Sequence, residues 1–334
     1  MAMNSRPLGG ISSLTALFCA TATILSLICA PVAARSGYTG LQNGFYSRSC
    51  PDVEKIIYES MYESFKKDNS VAPGVLRLAY HDCFVRGCDA SVLLAGSNTE
   101  RANLINTGLH GFPAVEAAKA AVEKACPGVV SCADVLQYAV RDTVILTGGQ
   151  SWTVPAGRRD GRVSLSSEVP ENLMTPDKKV PVLLQAFQKK GLNAAQMVAL
   201  AGSHTIGKAP CLTIDNRLWT YDSPSKVDPT LPASFAKTLK KKCPAAGLTT
   251  PIDLEVVTPT KFDTQYYKNI KNSLGLLTSD QSMWEDSRTK GEVVSNINSH
   301  TFSSNFAKAM IAMSKIDVLT GNSGEIRRVC SVVN

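Results

Sequence analysis

Arg77-Leu78-Ala79-Tyr80-His81-Asp82-Cys83-Phe84-Val85-Arg86-Gly87-Cys88-Asp89-Ala90-Ser91 packs cations, an imidazole, two carboxylates and two cysteines into one short run. Arg77 and His81 stand four residues apart, so a helix places them on one face, where they can act together on one small bound molecule. Burying such a pair is costly unless its charges and polar atoms find partners. Asp82, Asp89 and Ser91 add hard oxygen donors, and Gly87 permits a tight loop that exposes carbonyls. That pattern suits calcium, although ordinary loop and capping duties would use the same residues.

The sequence has four histidines. His204 lies in Ala201-Gly202-Ser203-His204-Thr205-Ile206-Gly207, where an apolar helix over Met197–Leu200 ends among small residues. Small residues let a large flat ligand approach the backbone. Alone, His204 reads as a satisfied core histidine; beside the Arg77/His81 pair it reads as the second half of a site. His110 and His300 lie in polar surroundings and are expected at the surface.

The N-terminus carries Arg6, a mostly apolar run from Ile11 to about Ala30, and then Pro31-Val32-Ala33-Ala34-Arg35. This reads as a secretory signal over residues 1–34, cleaved after Ala34 or Ser36, followed by one domain over 35–334. The competing reading is an uncleaved membrane anchor. No later segment is apolar enough to span a bilayer, so no membrane association is expected after cleavage. Beyond Cys19 and Cys29 in the leader, eight of the ten cysteines remain. An even number in an exported chain implies four disulfides, with about a hundred pairings open. The formal charge of +7, or +6 without Arg6, and runs such as Lys240-Lys241-Lys242 suit a solvated face or an acidic extracellular polymer. Nucleic acid is not expected, since an exported chain here lacks a basic-aromatic pattern. No Asn-x-Ser/Thr sequon occurs.

The periodicity predicts an all-α fold. Helices are expected over Asp52–Lys67, Val75–Cys83, Pro113–Cys126 and Ser131–Thr147, the last capped by Ser131 and stopped by Gly148-Gly149. Further helices are expected over Pro176–Lys190, Asn193–His204, Ser234–Lys242, Asp263–Ser273, Lys290–Asn298 and Phe302–Ser314. Strand signals are weak and short, chiefly Trp152–Val154. The long loop between Thr147 and Pro176 is of a length that is often functional.

Together the stretches RLAYHDCFVRGCDAS, CPGVVSCADVL, VPAGRRDGR, LAGSHTIG and TPTKFD closely resemble the secreted class III plant haem peroxidases, from about Phe45 to Asn334. The resemblance implies two helical halves enclosing haem b, and a monomer that reduces hydrogen peroxide and oxidises small phenolic donors by one-electron steps. It implies that His204 ligates the iron and that Asp280 accepts its other N–H. His81 would take a proton from peroxide and return it to the departing oxygen. Arg77 would stabilise the developing charge, and Asn106 would hold His81 in the right tautomer. Two calcium ions are implied: a distal one on Asp82, Val85, Gly87, Asp89 and Ser91, and a proximal one on Thr205, Glu255, Thr258, Lys261 and Asp263. The implied pairings are Cys50–Cys126, Cys83–Cys88, Cys132–Cys330 and Cys211–Cys243. The end of the chain soon after Cys330 sets an expectation of the cell wall or extracellular space.

Four positions depart from the family pattern. Tyr80 stands on the distal wall where Phe is usual, either as an aromatic replacement or as an electron donor to the oxidised cofactor. Met174 replaces a usual proline near the donor-binding edge, and Pro210 precedes Cys211 where many relatives have arginine. Glu255 replaces a usual Asp. Two rivals are a haem-free binding scaffold and a metal-dependent hydrolase using His81, Asp82 and His204.

Overall fold

The computed structural model describes residues 40–245 and 247–334; the expected leader over residues 1–34 lies outside them. Helices run in the order α1 (Val53–Lys67), α2 (Val71–Val85), α3 (Phe112–Ala125) and α4 (Cys132–Leu146) through the N-terminal half. The short α5 (Val169–Asn172), then α6 (Val180–Lys189) and α7 (Ala194–Ala201), lead into β1 (Lys208–Pro210) and the short α8 (Asp215–Leu218). The chain continues through α9 (Ala233–Lys242), β2 (Pro251–Asp253), α10 (Gln265–Lys271), α11 (Thr278–Glu285), α12 (Ser287–Asn296) and α13 (Ser299–Met313). β1 and β2 pair antiparallel, Ala209 opposite Ile252. The all-α expectation therefore holds.

Two helical groups form. In the first, α1 packs on α3 and α4, and α2 packs on α4; in the second, α7 packs on α12 and α13, and α10 and α11 join α12. One apolar core runs through both, with Ile57, Met61, Leu78, Leu136, Met197 and Phe306 buried. A smaller core gathers Ile214, Leu218, Leu231, Leu239 and Ile252 around β1, β2 and α9. All four implied disulfides are present: Cys50–Cys126, Cys83–Cys88, Cys132–Cys330 and Cys211–Cys243.

Several expected boundaries shift, each for a physical reason. α2 begins at Val71 rather than Val75, because Pro73 is tolerated in a first turn whose N–H groups lack helical partners anyway. Residues 176–179 stay outside α6, which starts at Val180 with a proline next to its first residue. α7 ends at Ala201, and a tighter turn over Gly202–Thr205 carries His204. Trp152–Val154 is not a strand; the nearest pairing is the isolated bridge between Gln42 and Ala156. α11 has no apolar stripe: Thr278, Ser279, Asp280, Gln281 and Ser282 are all buried polar residues.

The long loop after α4 is a structural brace. Asp160, fully buried, accepts the Cys132 and Ala133 amides at the start of α4 and the Arg327 amide from the C-terminal segment, where a negative charge complements the helix dipole. Arg158 pairs with Asp134 at 2.7 Å, and both side chains are fully buried. Its guanidinium also reaches the Ser314 and Pro155 carbonyls. A buried pair of this kind is stable because its remaining donors are satisfied.

The Cys132–Cys330 bridge joins residues 198 positions apart. Replacing both by alanine should lower unfolding free energy by about 2–5 kcal/mol. The check is a shift of the guanidinium midpoint with an unchanged native circular-dichroism spectrum.

Candidate active site

Arg77 and His81 share one face of α2, as their spacing requires: Arg77 Nε donates to His81 Nε2 at 3.1 Å. A guanidinium can only donate, so Nε2 is the bare nitrogen and the proton sits on Nδ1. Nδ1 lies 2.7 Å from Asn106 Oδ1. The amide of Asn106 is oriented in turn by Nδ2 donating to the Glu100 carbonyl at 2.8 Å. Short helical turns at Glu100–Ala102 and Leu104–Asn106 set these residues under α2. His81 is 5 % exposed. Burial first, then the Arg77 charge, push its pKa down to about 3, against the hydrogen bond to Asn106. The imidazole is therefore neutral with its lone pair on Nε2, where Arg77 donates; neutrality is the state a proton acceptor needs.

His204 is held differently. Gly202, in the turn before it, lies against Tyr267 and Phe302, where an added Cβ would meet Tyr267 Oη at 2.4 Å and Phe302 Cε2 at 2.6 Å. His204 Nδ1 lies 2.9 Å from Asp280 Oδ1, with Asp280 itself 1 % exposed. Burial lowers the His204 pKa, but the Asp280 charge and hydrogen bond outweigh it and the net shift is upward. With Nδ1 committed to Asp280, only Nε2 remains for a ligand. The His204 side chain is 36 % accessible, and the Arg77 charge acts on both His204 and His81. Gly207, just beyond His204, packs on Pro73 at the start of α2. Tyr80, Phe84 and Phe187 form an aromatic cluster next to His81, Tyr80 and Phe84 with centroids 4.4 Å apart. Tyr80 is also edge-on to His81 at 5.5 Å. Burial raises the Tyr80 phenol above its ordinary pKa, with Arg77 and the Met174 backbone opposing.

These residues fit a haem. One imidazole is accessible through Nε2 and fixed from behind by a buried carboxylate, as axial ligands are. The other imidazole and a guanidinium bind each other rather than competing for the metal.

The acidic residues after His81 form a second cluster. Asp82 accepts the Ala90 and Val92 amides, and Asp89 accepts the Ser91 amide. Gly87 has φ +108°, and its Cα lies so close to Asp317 that an added Cβ would meet that carbonyl at 2.5 Å. Asp82, Asp89, Ser91 and Glu100 are all buried, yet Ser91 Oγ and Glu100 Oε2 lack partners. Burial raises all three carboxylates, Glu100 to about 8. The Val85 carbonyl accepts Lys190 Nζ at 3.3 Å. Behind His204, Thr205 Oγ1 lies 3.3 Å from the Lys261 carbonyl and 3.4 Å from Asp263 Oδ1, and Thr258 Oγ1 is 2.9 Å from Asp263 Oδ2. Glu255 is not brought into that group through its carboxylate, which is taken by the Val257 and Thr258 amides and by Asn269. Among the described residues, no three His, Cys, Asp or Glu side chains converge to hold a metal ion. His81, Asp82 and His204 in particular do not converge, since Asp82 turns to the loop amides and His81 to Arg77 and Asn106.

Sequence reasoning missed two contacts. Tyr266 donates to Asp280 Oδ1 at 3.0 Å, and Lys190 reaches the Val85 carbonyl. Neither has a motif of its own; only the spacing of the Tyr266-Tyr267 pair before Asp280 in the sequence hints at the first.

A family model described as "Peroxidase" matches residues 57–299. The chain is 45 % identical to Peroxidase 25 of Arabidopsis thaliana, covering 88 % of this chain and 92 % of that protein. It is 46 % identical to Peroxidase 71 of Arabidopsis thaliana, covering 90 % and 92 %. It is 43 % identical to Peroxidase N1 of Nicotiana tabacum, covering 88 % and 91 %.

Gly202→Ala should destabilise the protein by about 1–3 kcal/mol, the usual cost of overpacking, and should displace His204. Denaturant unfolding measures the first effect and a crystal structure of the variant the second.

Proposed function

This chain belongs to the class III plant peroxidase family, and from that premise we infer which of its residues carry the reaction. The enzyme is haem-dependent and couples reduction of hydrogen peroxide to one-electron oxidation of small donors. One peroxide and two donor molecules give two waters and two donor radicals, so two electrons and two protons balance. The observation that supports the residue assignment is the pair of differently held histidines, His81 between Arg77 and Asn106 and His204 against Asp280.

His204 would offer Nε2 to the iron, with Asp280 holding its Nδ1–H. The haem, when bound, supplies the electron storage that no side chain here can. On the peroxide side, His81 Nε2 would accept a proton from bound hydrogen peroxide and return it to the departing oxygen. Arg77 stabilises the negative charge on that departing oxygen, an interaction that gains strength away from water. Asn106 keeps the His81 proton on Nδ1, so that Nε2 stays an acceptor. Such acid–base help contributes roughly 10²–10⁴ in rate. Tyr80, Phe84 and Phe187 shape the wall on that side, and Met174 marks the edge where donors would approach.

The distal cluster of Asp82, Asp89 and Ser91, with the Val85 and Gly87 carbonyls, is assigned to one calcium ion. Unpartnered buried oxygens beside raised carboxylates support this, since a cation would satisfy both. Thr205, Thr258, Asp263 and the Lys261 carbonyl are assigned to a second. Glu255 would join it only by releasing its loop amides, so Glu255→Asp should change calcium affinity; equal affinities by isothermal titration would remove Glu255 from the site.

The apolar leader supports export to the cell wall or extracellular space; among the described residues no helix is long and apolar enough to cross a membrane. The lysines Lys237, Lys240 and Lys241, which edge a groove of about 610 Å³, are where an acidic wall polymer would be tested for contact.

The test is the visible spectrum of secreted protein before and after one equivalent of peroxide. A strong Soret band that shifts with peroxide and returns when a phenol is added is expected. Well-folded protein that takes up no haem would overturn the assignment. Asn106→Val should slow the peroxide step, by less than the roughly 10²–10⁴ that loss of the His81 base costs, as read by stopped-flow absorbance.

A further inference from the structure

Asp280 Oδ1 takes two hydrogen bonds, from His204 Nδ1–H at 2.9 Å and from the Tyr266 hydroxyl at 3.0 Å. Its other oxygen, Oδ2, is buried without a partner. Both donors therefore draw on the same atom. Tyr266, on α10, is 2 % exposed and stands edge-on to His204, with ring centroids 6.2 Å apart and an interplanar angle of 76°. Burial and the Asp280 charge hold its phenol well above the ordinary pKa, so it acts only as a donor.

A carboxylate behind a ligating histidine pulls on Nδ1–H, gives the ring imidazolate character and makes Nε2 a stronger donor. Stronger donation stabilises the more oxidised metal, one of the protein's means of setting a haem potential. A second donor on the same carboxylate oxygen withdraws part of that electron density. We propose that Tyr266 is a positioning residue that restrains the electron donation of His204 to the iron, acting through Asp280 Oδ1. The inference rests on the reading that His204 is the iron's axial ligand. Tyr267, next in sequence, provides an internal contrast: its hydroxyl reaches the Val198 and Ala199 carbonyls on α7, not Asp280.

The experiment compares purified holoenzyme carrying Tyr266→Phe or Tyr267→Phe with the unaltered protein. Two quantities are read: the ferric/ferrous reduction potential by spectroelectrochemistry, and the iron–histidine stretching frequency of the ferrous form by resonance Raman. Tyr266→Phe keeps the ring and removes only the donor, so the potential should fall and the stretching frequency should rise. Tyr267→Phe should leave both in place. No change in Tyr266→Phe would overturn the inference. So would the opposite sign, which is what loosened packing and a weaker His204–Asp280 bond would give. Equal shifts in both variants would overturn it too, because the effect would not come through Asp280. Unaltered protein lacking an iron–histidine stretch would instead overturn the ligand assignment beneath it.

Discussion

A neutral buried imidazole four residues from a guanidinium is the constraint from which the organisation of the site follows. Arg77 and His81 sit on one face of α2, Arg77 exposed and His81 buried, and burial alone would leave the imidazole at high cost. Arg77 donates to Nε2, and that donation forces the His81 proton onto Nδ1. The proton then needs an acceptor, which Asn106 supplies, and Asn106 needs an orientation, which the Glu100 carbonyl supplies. Four groups are thereby fixed by one helical spacing. Next to them, the Cys83–Cys88 bridge and the Asp82 contacts to Ala90 and Val92 hold the segment that follows the helix.

The second histidine shows how the partner decides the role. His81 faces a neutral amide and a cation, and its pKa falls; His204 faces a buried carboxylate, and its pKa rises. Environment rather than residue type separates the proton acceptor proposed at His81 from the strongly donating ligand proposed at His204. A carboxylate behind His81 would favour its protonated form and abolish the acceptor. An amide behind His204 would leave it a weaker donor to the metal. The long loop after α4 serves neither histidine directly. Through Arg158 and Asp160 it locks the start of α4 to the C-terminal segment, and α4 supports α2 from behind.

Much of this was legible in the sequence. The Arg77/His81 spacing, the small residues around His204 and the helical periodicity of α1, α3 and α4 all translate directly into structure, because each depends on local geometry. The disulfide pairing was not legible from spacing and came only with the family resemblance. α11 was missed because its buried face is polar: Ser279, Asp280, Gln281 and Ser282 are inside, so no apolar period marks the helix. The contacts of Tyr266 with Asp280 and of Lys190 with Val85 were missed because they join distant segments with no motif at either end. The loop turn that draws Glu255 onto its own amides has the same character. In each case a tertiary partner, not a local propensity, selects the conformation.

The most direct measurement of the central claim is the pH dependence of the second-order rate constant for reaction with hydrogen peroxide. His81 must be deprotonated at Nε2 to accept the peroxide proton, and its pKa is lowered to about 3. The base form is therefore present above that value and is lost as pH falls through it. The rate constant should stay level through the mildly acidic range and decline only as pH approaches about 3. An inflection near the ordinary histidine value of about 6.5 would contradict a neutral imidazole held by Arg77 and Asn106.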